Sequence, residues 1–232
     1  MKSLALIAAL TFSATAAQAQ DNAAAVPAAV APAAISEAAP APQCELHIWP
    51  AERFQAVTTG WLSGFGVVGA LADSAGHADG DKARRSHLAS ALDSEGQLKS
   101  LQELNLIQML DLKQSQIITH AEPLDRKTVN KIKTRRAQSA SPCYAELIVA
   151  DVFYQKAAIY GRSLRTLFMF RNFGNAQEDP SIYKTWGGNG LKLFPPNEGE
   201  DVSAADAELV SVFKRNFEEA ANNFANQRKS GR

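Results

Sequence analysis

Residues 144–153 read Y-A-E-L-I-V-A-D-V-F. Ile148, Val149, Val152 and Phe153 are β-branched or aromatic, so the stretch predicts a strand partly covered on both faces. Residues 164–173 read L-R-T-L-F-M-F-R-N-F, with Leu164, Thr166, Phe168 and Phe170 at strand spacing on one face. A turn near Gly161 joins the two runs. The pair predicts an antiparallel hairpin with a connection of roughly 6–8 residues. A sheet built on this hairpin needs apolar cover, and the rest of the chain has to supply it.

Upstream, Cys44 to Trp49 (C-E-L-H-I-W) alternates with period two and stops at Pro50, predicting the first strand. Glu52 to Thr59 reads as a short helix with Phe54 and Val57 on one face. Asp73 to Asp81 reads as a loop by composition, and Lys82 to Leu92 as a helix packing through Leu88 and Leu92. Ser94 to Gln97 matches a capping box and opens a helix with Leu98, Leu101 and Leu104 on its apolar side. Gln116 to His120 predicts a short strand. Pro123 and Asp125 open a basic helix running to about Arg136.

Downstream, residues 174–202 read as loop, punctuated by Gly187, Gly188, Gly190 and two prolines. Ser203 starts a last helix, again at a capping-box match. Leu209, Val212, Phe213, Phe217 and Phe224 form its stripe, and burying each is worth about 1.5–3 kcal/mol before ordering entropy. The expected fold is therefore α/β in the α+β sense. It has a small mixed sheet of about four or five strands, helical cover and a carboxy-terminal amphipathic helix. The domain spans 43–227, with 228–232 as a tail.

Residues 1–19 have the order of a secretory signal: Lys2, an apolar run from Leu4 to Phe12, and Ala17-Gln18-Ala19 as the cleavage site. Cleavage after Ala19 leaves Gln20 first, so no cysteine stands there to carry a lipid. Residues 20–42 are rich in alanine, with prolines at 27, 32, 40 and 42, and predict a disordered spacer. The expected location is the periplasm.

Composition removes several classes. The chain has 232 residues and formal net charge zero, which argues against a nucleic-acid binder. Two cysteines make neither a disulfide-rich scaffold nor a cysteine-only zinc site. In an exported chain, with each cysteine at the start of a predicted strand, they predict a Cys44–Cys143 disulfide.

Motifs for chemistry fail one by one. Gly64, Gly66 and Gly69 spell G-x-G-x-x-G, but Asp81 follows Gly69 by only twelve residues where the site needs an acid about 20 on, and an exported protein rarely meets NAD. G-x-S-x-G and H-E-x-x-H are absent. His77, Asp79 and Asp81 resemble a calcium loop, yet the closing acid is replaced by Ser90. His120, Glu122 and Cys143 imitate a zinc-deaminase pattern whose last cysteine is Glu146 here. Glu45, Glu146 and Asp151 are strand carboxylates with no sign of convergence. No catalytic residue, metal or cofactor is assigned.

Two stretches ask for a partner. Phe54 to Ala72 is nineteen residues without a charge. It is either buried or an exposed apolar surface centred on Trp61, Leu62 and Phe65. The run from Arg126 to Arg136 holds six cations, among them Lys131, Arg135 and Arg136. It reads as a solvated helix or as a contact for an anionic surface.

The first strand, the helical middle, the hairpin 144–173 and the closing helix 203–226 together resemble the small α/β domains of bacterial envelope accessory proteins. The TolB amino-terminal domain and the curli-secretion lipoprotein are examples. The chain is also similar to uncharacterised exported proteins of Gram-negative bacteria. The resemblance lies in the order of elements and carries no functional residue across. It implies a non-enzymatic periplasmic binding module for an envelope protein or membrane surface. The alternative is a peripheral membrane protein contacting lipid through 54–72, and an enzyme ranks third.

Overall fold

In the computed structural model, residues 44–52, 54–59, 66–125, 129–197 and 199–230 are described. The signal and spacer segments and Trp61, Leu62 and Phe65 lie outside them. The long hairpin is the centre of the sheet: β4 (Tyr144–Ala157) pairs antiparallel with β5 (Gly161–Gly174). Its connection is shorter than expected, only Ala158, Ile159 and Tyr160, because both strands run on past their apolar runs. Gly161 turns the chain at φ 72°.

The other strands dock on this pair. β1 (Cys44–Trp49) and β2 (Phe54–Thr59) both run parallel to β4, along successive halves of its free edge. β3 (Ser115–Thr119) adds parallel to β1, and β6 (Ser181–Leu191) antiparallel to β5. Among the described residues the sheet is thus mixed and six-stranded, in the order β3-β1-β4-β5-β6 with β2 off β4.

Glu52–Thr59 is therefore extended, not helical. Pro50 interrupts the ladder between β1 and β2 because it has no N–H to give. Gln97, fully buried, fills the break: its Oε1 accepts from the Ala51 amide at 2.8 Å and its Nε2 donates to the Leu92 carbonyl at 2.9 Å.

Gln97 sits in α2 (Ser94–Gln102), and its side chain is not in a capping box. Asp93 caps this helix instead, accepting from the Gly96 amide at 2.8 Å. A four-residue helix, α3 (Leu106–Met109), follows. The first helix, α1 (Gly66–Ala91), runs through Asp73–Asp81, which composition had marked as a loop. Two contacts help to hold it. Asp81 accepts from the Thr58 amide at 2.8 Å and hydroxyl at 2.6 Å, and Arg84 pairs with Asp81 one turn later. Tertiary contacts of this kind override weak propensity.

The last helix, α4 (Val202–Ser230), extends four residues past the expected end at Asn226. Asp201, one residue before it, accepts from the Ser203 and Ala204 amides, so Ser203 is not its cap. Its expected stripe is fully buried: Leu209, Val212, Phe213, Phe217 and Phe224 pack with Leu46, Leu147, Phe168 and Phe170 in one core. Ala150 is an extra residue in β4 opposite the Phe168–Leu167 step. This bulge changes the alternation, so Leu147 and Val149 before it, and Val152 and Tyr154 after it, all join the helical core.

β6 occupies a stretch expected to be loop, and its glycines have a packing reason. A Cβ on Gly187 would stand 2.0 Å from the Asn216 carbonyl oxygen of α4. The helix backbone lies directly on the strand there. Asn216 secures the contact, donating to the Leu164 carbonyl at 2.9 Å and accepting from Asn189 at 2.8 Å. Gly188 faces the opposite way, where a Cβ would meet only the Arg165 side chain at 3.4 Å. Gly187→Ala should therefore cost about 3 kcal/mol or more, at the upper end of overpacking effects, and Gly188→Ala less than about 1 kcal/mol. Thermal melting of the two variants checks this, and equal melting temperatures would contradict the close approach.

Candidate functional site

The helices cover one face of the sheet. On the other, Glu45, His47 and Trp49 of β1 stand beside Tyr144, Glu146 and Ile148 of β4 and Met169, Arg171 and Phe173 of β5. Part of the chain between β3 and β4 crosses this face. Leu124 and Val129 there pack on Trp49, Ile148 and Met169 in a second, smaller core.

The expected basic helix does not run on to Arg136: Val129 is helical, its amide bonded to the Asp125 carbonyl at 3.1 Å, but Thr134–Pro142 has no helical turn. Its cations separate. Lys131 is exposed. Arg135 lies over the Tyr144 ring at 5.0 Å and donates to the carbonyls of Ser141 and Ala176. Arg136 turns inward, its side chain only 3% exposed. Helix loses because these side chains and amides have stronger tertiary partners than a solvated helix offers.

The main partner is Glu146, fully buried. Its Oε2 takes Arg171 Nη1 at 2.6 Å and Arg136 Nε at 3.3 Å. Its Oε1 accepts from the Arg136 amide at 2.8 Å and the Tyr144 hydroxyl at 3.1 Å. Arg171 Nη2 reaches the Ile132 carbonyl at 2.7 Å, and Arg136 Nη2 donates to the Val129 carbonyl. Burial, with the Glu146 charge added, pushes the Tyr144 phenol up from its ordinary pKa. Burial also draws Arg136 down, against the pull of Glu146. Two guanidinium groups on one carboxylate clamp the crossing segment to the sheet.

Beside the clamp runs a polar chain. The Ser139 hydroxyl donates to Glu45, whose Oε2 lies 3.0 Å from His47 Nε2. His47 Nδ1 is 2.9 Å from His120 Nε2, and His120 stacks on Trp49 with ring centres 4.1 Å apart. The order is serine, glutamate, histidine, histidine. A nucleophilic serine needs its hydroxyl on the base, and here Ser139 is on the carboxylate. Burial opposes ionisation of Glu45, but hydrogen bonds from Ser139 and His47 outweigh it and hold its carboxyl below the ordinary value. Among the described residues no group of three or more His, Cys, Asp and Glu is placed to hold a metal ion.

Cys44 and Cys143 form the expected disulfide, with Cα atoms 4.7 Å apart and a separation of 99 positions in sequence. By the chain-entropy argument a loop of that size contributes at most about 4.7 kcal/mol. A cavity of about 690 Å³ opens beside this bond, lined by Leu112, Pro142 and Ala145 among others.

The apolar segment 54–72 divides. Its first part is strand β2, with Thr58 buried and Val57 38% exposed, and Gly66 already belongs to α1. No helix of the described residues is long and apolar enough to cross a membrane.

At the far end of the sheet from the disulfide, the hairpin turn presents Ile159 and Tyr160, 88% and 89% exposed. The Ala158 amide bonds to the Thr59 carbonyl at 3.2 Å, so the end of β2 lies beside this turn. Sequence reasoning passed over these two residues. Their signal was an apolar pair in a place where turns take Gly, Asn or Asp.

No protein-family model matches the chain, and no curated protein matches it. A solved structure titled "Crystal structure of uncharacterized protein" is similar at 12% identity, over 80% of this chain and 94% of that one. Its TM-score is 0.25, at which the likeness carries no argument.

His120 sets a pH dependence. Burial, and then the proximity of His47, lower its pKa from the ordinary 6.5. The unfolded chain therefore takes up this proton more readily than the folded one. The stabilisation is complete above about pH 6.5 and is lost as the pH falls toward the folded value. Between about pH 7.5 and about pH 5.5 the melting temperature should fall, and fall less in His120→Gln. Identical slopes for the two proteins would contradict this assignment.

Proposed function

We propose that the chain is a non-enzymatic, envelope-associated binding module of the periplasm, which meets its partner with the hairpin end of the sheet. The observation that carries the reading is the near-complete exposure of Ile159 and Tyr160 at the β4–β5 turn. Two large apolar side chains on a tight turn leave their area in water, and exposed apolar surface of this kind commonly marks contact sites. Aromatic residues such as Tyr160 are favoured as interface anchors.

The periplasmic part is supported by the signal-like order of residues 1–19 and by the Cys44–Cys143 bond, which suits an oxidising compartment. The order of elements resembling envelope accessory domains supports the same location.

Direct lipid contact is the second reading. It is favoured by the place of Thr59 beside the exposed turn, and by the charge-free sequence that follows it, with Trp61, Leu62 and Phe65. The two apolar stretches would then act together on a membrane surface.

A photo-crosslinking residue at position 160 in the periplasm tests the module. We expect a product with one envelope protein, together with an intact mass beginning at Gln20. Ile159→Ser with Tyr160→Ser should abolish binding to that protein and leave the melting temperature within about 2 °C. Flotation of the wild-type chain with vesicles and no protein product would favour lipid. A cytoplasmic chain retaining residues 1–19 would overturn the location, and labelling no stronger at 160 than at Lys113 would overturn the contact surface.

A further inference from the structure

Next to the hairpin turn, on the helical side, a cleft of about 410 Å³ opens between α1, the ends of β4 and β5, and Pro195–Asn197. Its size lies within the roughly 300–1,000 Å³ of small-molecule sites. Arg84, His87, Tyr154, Lys156 and Arg162 line it. Lys156 and Arg162 are directly paired across the hairpin, so both cations leave the sheet side by side.

Nearby carboxylates are largely engaged elsewhere. Asp81 holds Arg84 at 2.6 Å, and Asp206 holds His87 at 2.9 Å. Glu208 accepts from the amides of Lys192, Leu193 and Phe194, and Glu200 from Asn197. Arg162 donates to the Lys192 and Pro195 carbonyls, which orient its guanidinium; Glu200 and Glu208 lie near enough to feel its charge but form no direct ion pair with it. Among the described residues neither Arg162 nor Lys156 has an ion-pair partner. A second feature is independent of this charge. Tyr154 is fully buried in the cleft wall, and its hydroxyl has no hydrogen-bond partner among the described residues. Burial raises its pKa, so the hydroxyl keeps its proton as a donor at neutral pH.

We infer that this cleft is a binding site for a phosphate-type oxyanion, with Lys156 and Arg162 supplying charge and the Tyr154 hydroxyl a hydrogen bond. Arginine and lysine recognise phosphate in complementary ways, the first as a planar fork and the second as a point charge. The unpaired hydroxyl gains its missing acceptor when the anion seats. The phosphate can belong to a soluble phosphorylated molecule or to a lipid headgroup, since the cleft opens beside the exposed apolar turn.

Titration calorimetry of the full folded chain with inorganic phosphate, and flotation with phosphatidylglycerol against phosphatidylcholine vesicles, separate these sources. Saturable phosphate binding without flotation assigns a soluble ligand. Flotation selective for phosphatidylglycerol assigns the headgroup. In either assay Lys156→Gln should weaken binding about tenfold and Tyr154→Phe severalfold, with melting temperatures retained. Arg162→Gln is the stronger variant, but Arg162 also braces Pro195, so the exposed Lys156 provides the safer test. The proposal is overturned if the wild-type chain binds neither phosphate nor phosphatidylglycerol vesicles, or if Lys156→Gln binds them as tightly as wild type.

Discussion

The carboxylate of Glu146, buried under two guanidinium groups, holds the helix-free face of the sheet together. Without it, part of the connection from β3 to β4 has little reason to lie on that face. Trp49, Ile148 and Met169 would then lose apolar cover. Such an arrangement is no free gain in stability, because taking three ions out of water costs several kcal/mol each before their attraction offsets it. Its value lies in selection. A charged centre with defined donors admits one path for the chain, whereas an apolar patch accepts many. The same centre explains why the run of cations is not helical beyond Val129. Arg136 is held by its side chain and its amide together, a pairing that commits the backbone locally.

Much of the frame was legible in the sequence, for a physical reason. β1, β4, β5 and the stripe of α4 each bury one regular face, and regular burial leaves a periodic trace. The disulfide was legible from compartment and strand position. What escaped notice depends on contacts distant in sequence. Gly187 looks like loop composition until the backbone of α4 is set against it. Phe54–Thr59 has no clear alternation, and is extended because β4 offers it an edge. Asp73–Asp81 is helical with Asp81 bound to Thr58, 23 residues away. Asp93 and Asp201 cap helices one and two residues before the serines that matched the motif.

For the candidate site the outcome differs by residue. Cys44 and Cys143 meet, Arg135 and Arg136 serve the fold from within, and Lys131 stays on the surface. The exposed turn and the cationic cleft beside it went unnoticed because their residues are scattered over α1, β4, β5 and the loop after β6. No local pattern links Arg84 to Arg162. The long hairpin links them: it carries the sheet's central pairing at one end and reaches solvent at the other. Rigid pairing along β4 and β5 is what lets an exposed tip present its side chains in a fixed place.

Chemical denaturation of Glu146→Gln tests the clamp most directly. The variant keeps the size of the side chain and leaves two buried guanidinium groups without their counter-charge. The account predicts a loss of about 3–5 kcal/mol, as for other broken buried ion pairs. A loss below about 1 kcal/mol, the size of an ordinary surface substitution, would contradict it.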